Sequence, residues 1–151
     1  MLSNKKLLFF LFHIAGGGAA YNLLEIAWRQ YTHISMTLLG GLCFWMLVRL
    51  SAARIGLFWK SVIGGSLITV SEFIAGCVVN LWLGLNVWDY SGQPLHLLGQ
   101  VSIQYFLLWW ALSAIVIPAY RYLTEKRWFA AFFAQKWRAV RYMQKKEAKA
   151  G

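Results

Sequence analysis

Four apolar runs, each near the length that crosses a bilayer, divide the 151-residue chain: Leu7–Trp28, Ile34–Leu50, Ser61–Leu83 and Val101–Tyr120. Spanning a hydrocarbon core of about 30 Å takes roughly 20 helical residues. The pattern therefore predicts four transmembrane helices, of which the second is the shortest. Lys5 and Lys6 before the first run suggest a signal peptide, but the run continues unbroken to Trp28 and reads as a retained span. Lysines and arginines alternate with the runs. Lys5/Lys6, Arg49/Arg54/Lys60 and the tail from Arg121 share one side, and the other side holds Arg29 and Asp89. Positive charge favours the cytoplasmic face, so both termini are expected inside, and an odd number of spans would break the alternation. Trp28, Tyr31, Trp59, Trp88, Tyr90 and Tyr120 lie near the run boundaries, where aromatic side chains anchor at the interface.

After Pro118 the pattern changes. Trp128, Phe129, Phe132, Phe133, Trp137, Val140 and Met143 recur at helical spacing, with Lys126, Arg127, Lys136, Arg138, Arg141, Lys145 and Lys146 among them. This predicts a basic amphipathic helix lying in the inner interface, held by lipid or docked on a partner. The expected organisation is all-α: a four-helix transmembrane domain over residues 1–120 and a cytoplasmic tail over 121–151.

Composition sharpens this picture. At 60% hydrophobic and 13% charged residues, with mean hydropathy +0.52, the chain is too apolar for a soluble domain, whose charged fraction is about 25%. The net charge of +10 sits in loops and tail, which fits membrane orientation and anionic lipid and not nucleic acid. Cys43 and Cys77 lie within apolar runs as small thiols, not as a disulfide framework or a paired metal motif.

Glu72 stands near the centre of the third run, where an acidic side chain costs roughly 2.5–3.5 kcal/mol to insert. A carboxyl group there needs a partner or a task. Asn80 follows eight residues later, about 12 Å along a helix, with Gly76 between them on nearly the same face. In the first run Asn22 and Glu25 lie near the outer end, and Arg29 follows Glu25 by one turn, close enough to pair. The connection from Gly84 to Gln100 contributes Trp88, Asp89, Tyr90, Ser91 and His96, and Gln104 begins the fourth run. This distribution predicts a cavity open to the outside with Glu72 at its floor.

Plainer readings stand beside it. Glu72 can bind a neighbouring helix as structural glue, Glu25 and Arg29 can form an interfacial pair, and Trp88–Ser91 can be a capped turn. His33 and His96 alone do not supply a metal site, and no metal or cofactor is expected. Gly16–Gly18 and Gly64–Gly65 lie inside apolar helices and read as close-packing surfaces. The chain carries no GxSxG, HExxH, P-loop or dinucleotide fingerprint.

The run Ser71-Glu72-Phe73, Gly76, Trp88-Asp89-Tyr90-Ser91, Pro94-Leu95, Leu98-Gly99 and Trp109 resembles the signature of the Putative ABC-transporter type IV family, small CmpB-like bacterial membrane proteins. Glu25-Ile26-Ala27-Trp28-Arg29, followed by Gly40-Gly41, is similar to that family's first-span pattern. The sequence departs from it at His96, where the family usually has Asn, and at Gln100, which is often basic there. The resemblance implies a multi-pass protein of the bacterial inner membrane and a permease role, with a separate ATPase subunit docking on Ser51–Lys60 or the basic tail.

Together these features predict a permease-like subunit in which Glu72, Asn80, Glu25, Arg29, Trp88, Asp89, Tyr90, Ser91 and His96 surround a small solute or ion. The excess of acids favours a cation or proton. Four helices enclose little room, so a homo-oligomer or a partner membrane subunit is expected, in contact with membrane lipids. Two alternatives remain at this point: a membrane enzyme acting on a lipid or isoprenoid through Glu72 and Asp89, and a structural or regulatory protein working through its tail.

Overall fold

A computed structural model describes residues 4–125. Four helices follow in order: α1 (Asn4–Arg29), α2 (Ile34–Ser51), α3 (Leu57–Gly76) and α4 (Ile103–Glu125), with a π-helical stretch (Cys77–Trp82) extending α3. The segments Lys6–Ala27, Ile34–Ser51, Leu57–Trp82 and Ile103–Thr124 are long and apolar enough to cross a membrane. These are the four expected spans, with their ends moved by a few residues. The described residues contain no strand; Leu97 and Val101 form an isolated antiparallel bridge. An all-helical solution is what hydrocarbon demands, because each backbone N–H and C=O must find a partner within its own segment. The expected amphipathic helix over Trp128–Met143 lies outside the described residues.

Two compact units divide the chain, Met1–Ile117 and Pro118–Gly151. In the second, the hydroxyl of Thr124 donates to the carbonyls of Tyr120 and Arg121 at 3.0 Å each, within the last turns of α4.

In the first unit, glycines set the helix contacts. A Cβ on Gly17 would strike Phe44, one on Gly18 would lie 2.5 Å from the Thr37 carbonyl oxygen, and those on Gly40 and Gly41 would strike Tyr21 and the Ile14 carbonyl. α1 and α2 therefore meet backbone to backbone, as small-residue surfaces in membrane helices allow. Gly65 does the same for α3 and α4, its Cβ position lying 2.9 Å from the Trp110 backbone, while Gly64 faces Leu47 and Ser113. Packing is thus the role of Gly17, Gly18, Gly64 and Gly65; Gly16 faces open space.

The turns are capped by side chains from within the chain. His33 has extended backbone (φ −132°, ψ 148°), and its Nδ1 accepts from the Ser35 N–H at 3.2 Å to begin α2. At the other end of α2 the ammonium of Lys60, itself buried, donates to the Ser51 carbonyl at 2.7 Å. A cation there opposes the negative end of the helix dipole.

Two apolar clusters fill the interior. Cys43, Leu47, Ile68, Trp109 and Ile117 form one. Met36, Val87, Trp88 and Tyr90 form the other, which brings the start of α2 against the α3–α4 connection. The α1–α2 turn and that connection consequently share one end of the bundle.

Candidate functional site

Glu72, Gly76 and Asn80 are all buried on one face of the third span. A four-residue step overshoots the α-helical turn of about 3.6 residues and undershoots the wider π turn with its i→i+5 bonds. The two drifts oppose each other, so the π stretch keeps Asn80 in line with Glu72. The Leu83 N–H reaches the Val78 carbonyl at 2.9 Å, closing that wider turn.

Asn80 organises the connection that follows. Its Oδ1 accepts from the Val87 N–H at 2.7 Å, and its Nδ2 donates to the Trp88 carbonyl at 2.9 Å and to Gln100 Oε1 at 2.8 Å. Trp88 Nε1 donates to the Gln100 carbonyl at 3.0 Å, and the Tyr90 N–H to the Gly99 carbonyl at 2.7 Å. Gly76 admits this arrangement: a Cβ there would lie 2.5 Å from Gln100 Oε1. Buried amides so fully paired hold a loop in one conformation.

The backbone of this loop alternates like a strand. Trp88 and Tyr90 are buried, whereas Asp89 and Ser91 are exposed. The inward residues join the core and the outward pair forms its own turn. The Asp89 carboxylate accepts from the Ser91 N–H at 2.8 Å and from the Ser91 hydroxyl at 2.9 Å. These bonds, the backbone one first, hold the Asp89 carboxyl below its usual range.

Tyr90 reaches into the bundle. Its hydroxyl donates to Glu72 Oε1 at 2.9 Å, and from α4 the Trp109 Nε1–H donates to Glu72 Oε2 at 2.8 Å. Tyr105 stacks on Tyr90 with ring centroids 4.0 Å apart, and Tyr21 of α1 lies against Trp109 at 6.3 Å. Burial first, and the Glu72 carboxylate second, push the Tyr90 hydroxyl well above the usual tyrosine range, so it stays a neutral phenol.

The carboxylate is 1% exposed. Glu72 is therefore not the floor of an open hollow in this conformation, because Tyr90 and Trp109 occupy both of its oxygens. Nor does it share its surroundings with Asp89, which faces away on the exposed side of the loop.

The remaining predicted site residues fall elsewhere. Glu25, 6% exposed, accepts from the Thr32 hydroxyl at 2.8 Å. Thr32 and Thr37 both lie 3.0 Å from Asn22 Oδ1, so these four residues form a second polar cluster at the α1–α2 turn. The Arg29 side chain lies outside the described set. His96 is exposed, and its Nδ1 accepts from the Gly99 N–H at 3.2 Å. Among the described residues no three His, Cys, Asp or Glu side chains gather as a metal site would require.

Sequence reasoning placed Glu72, Asn80, Trp88 and Tyr90 among the candidates, named Trp109 and Gln100 only through the family resemblance, and left out Thr32 and Thr37. An indole N–H inside an apolar run was the available signal for Trp109, since a buried Trp donor usually finds an acceptor. Gln100, polar at the edge of a span, was the corresponding signal for the Asn80 hub.

No curated protein and no solved structure matches the sequence. The family model described as Putative ABC-transporter type IV matches residues 32–143, which take in α2, α3, the Asn80-centred connection and α4, and the chain belongs to that family.

Proposed function

We propose that the chain is a permease-type membrane subunit in which Glu72 binds a small solute or ion and the Trp88–Ser91 segment covers it. The observation that carries this reading is the pair of hydrogen bonds on Glu72. One donor comes from a non-helical connection and the other from α4, so a single buried carboxylate joins two different parts of the fold. Lifting Tyr90 away would open Glu72 from the loop end, and the sealed conformation is then the occluded state of the site. Asn80 and Trp88 position the cover. Glu25 lies in a second polar cluster at the same end of the bundle, on the route a solute would take.

In this reading the chain sits in the bacterial inner membrane with both termini in the cytoplasm, as the distribution of Lys and Arg favours. The basic residues after Arg121 rest on anionic lipid. Four spans enclose little volume, so the working unit is an oligomer or a complex with a partner membrane subunit, and a separate ATPase supplies energy from the cytoplasmic side.

A thermal-shift screen of the purified full chain against ions, amines and lipids tests the site. A ligand that stabilises the wild type is expected to lose its effect in Glu72→Gln, which keeps the shape of the side chain. An equal shift in both proteins overturns the assignment and leaves Glu72 as a structural tie.

A further inference from the structure

The two donors on Glu72 differ in kind. An indole nitrogen can only donate, whereas a phenolic hydroxyl donates or accepts. Trp109 therefore requires Oε2 to remain an acceptor in every protonation state of the carboxyl group. Only Oε1 can carry a proton while both contacts persist, and there Tyr90 Oη, 2.9 Å away, can turn from donor to acceptor. No heavy atom needs to move. Both contacts can therefore persist with the carboxylate and with the carboxylic acid.

We infer that Glu72 is a proton-loading site filled through the Tyr90 hydroxyl, with Oε1 the oxygen that carries the proton and Trp109 the residue that selects it. This rests on the reading of Glu72 as the binding group and adds proton uptake in the covered state to the solute binding that follows when Tyr90 lifts. The step balances. A hydronium ion at the loop end gives a proton to Tyr90 Oη and is left as water, while the original Oη–H bond breaks and its proton forms a new O–H bond at Glu72 Oε1. Tyr90 finishes as the neutral phenol it began as, and Glu72 loses its charge. Burial and the carboxylate keep Tyr90 from ionising, so it passes a proton without ever storing the opposite charge.

The titratable groups around this pair come from every packed element. Cys43 of α2 is coupled electrostatically to Glu72, Tyr90 belongs to the connection, and Tyr21 of α1 and Tyr105 of α4 are coupled to Tyr90. These neighbours are a thiol and phenols, and Glu72 is the one carboxyl group among the residues named.

Infrared difference spectroscopy on the full chain in liposomes, with pH jumps, tests the inference. A protonated-carboxyl C=O band is expected to appear as pH falls, and to be absent in Glu72→Gln. That variant retains both contacts, since its amide oxygen accepts from Trp109 and its amide nitrogen donates to Tyr90. In Tyr90→Phe the band should appear at higher pH, because the carboxylate has lost a donor. Its response to a pH jump should slow by about a hundredfold, the scale of losing a positioned proton-transfer group. If Glu72→Gln fails to insert, the Tyr90→Phe shift and slowing decide alone. A spectrum without a band that depends on Glu72, or a Tyr90→Phe band unchanged in both position and rate, overturns the inference. A titrating band together with an unaltered ligand shift in Glu72→Gln would defeat the solute reading and leave proton loading intact; the opposite pair of results would do the reverse.

Discussion

Two buried glutamates lie among the described residues, and they are held in different ways. Glu25 takes its hydroxyl donor from Thr32, seven residues away across a short turn, beside Asn22 and Thr37. Glu72 takes its donors from Tyr90 and Trp109, 18 and 37 residues away, one in a connection and one in another helix. The first arrangement ties a turn to itself. The second ties α3, the connection and α4 together, so its loss reaches further. A carboxylate near the end of a span can also find water when its partner leaves, while one at mid-depth cannot.

Glu72→Ala should therefore have the largest effect. It leaves the Tyr90 hydroxyl and the Trp109 N–H without their acceptor, at roughly 1–3 kcal/mol for each buried orphan. Unfolding in detergent or lipid measures the loss, and a cost no greater than that of Glu25→Ala would remove the distinction between the two sites. Gly76→Ala comes next. Its methyl group would meet Gln100 Oε1 at 2.5 Å and push it off Asn80, with an overpacking cost of about 1–3 kcal/mol. Faster proteolysis of the Gly84–Gln100 connection would report the displacement, and Asn80→Ala should reproduce it without the steric clash. Glu25→Ala should cost less, on the order of 0.6 kcal/mol, the average for side-chain hydrogen bonds in a membrane bundle.

The smallest effect belongs to Asp89. Its carboxyl is held below the usual range by Ser91, so the turn it closes contributes fully above the ordinary aspartate pKa and loses that contribution as pH falls through the lowered value. Replacing Asp89 with Ala should abolish this acid-side dependence of loop protection, read by hydrogen exchange at Ser91, while leaving the Glu72 contacts undisturbed.

Much of this architecture was legible from the chain alone. The spans follow from length and apolarity, because hydrocarbon admits few other solutions. The packing roles of Gly17–Gly18 and Gly64–Gly65 follow from glycines placed inside apolar helices. Glu72 and Asn80 declared themselves as polar groups at depth. Their partners did not. Trp109 lies far along the chain with no periodic relation to Glu72, and the bond from Thr32 to Glu25 depends on how the α1–α2 turn folds back. The π stretch had no visible signature either: Cys77–Trp82 reads as ordinary helix, and the effect of its extra width is to keep Asn80 in line with Glu72.

The most direct test of the account is a pair of electron-microscopy maps of the full chain in lipid nanodiscs, with and without the ligand found by thermal shift. Without ligand, Tyr90 and Trp109 are predicted to hold Glu72 as described. With ligand, density should lie within hydrogen-bonding reach of the carboxyl group and Tyr90 should have withdrawn from Oε1. Ligand density elsewhere, with the Tyr90–Glu72 contact intact in both maps, would contradict the account.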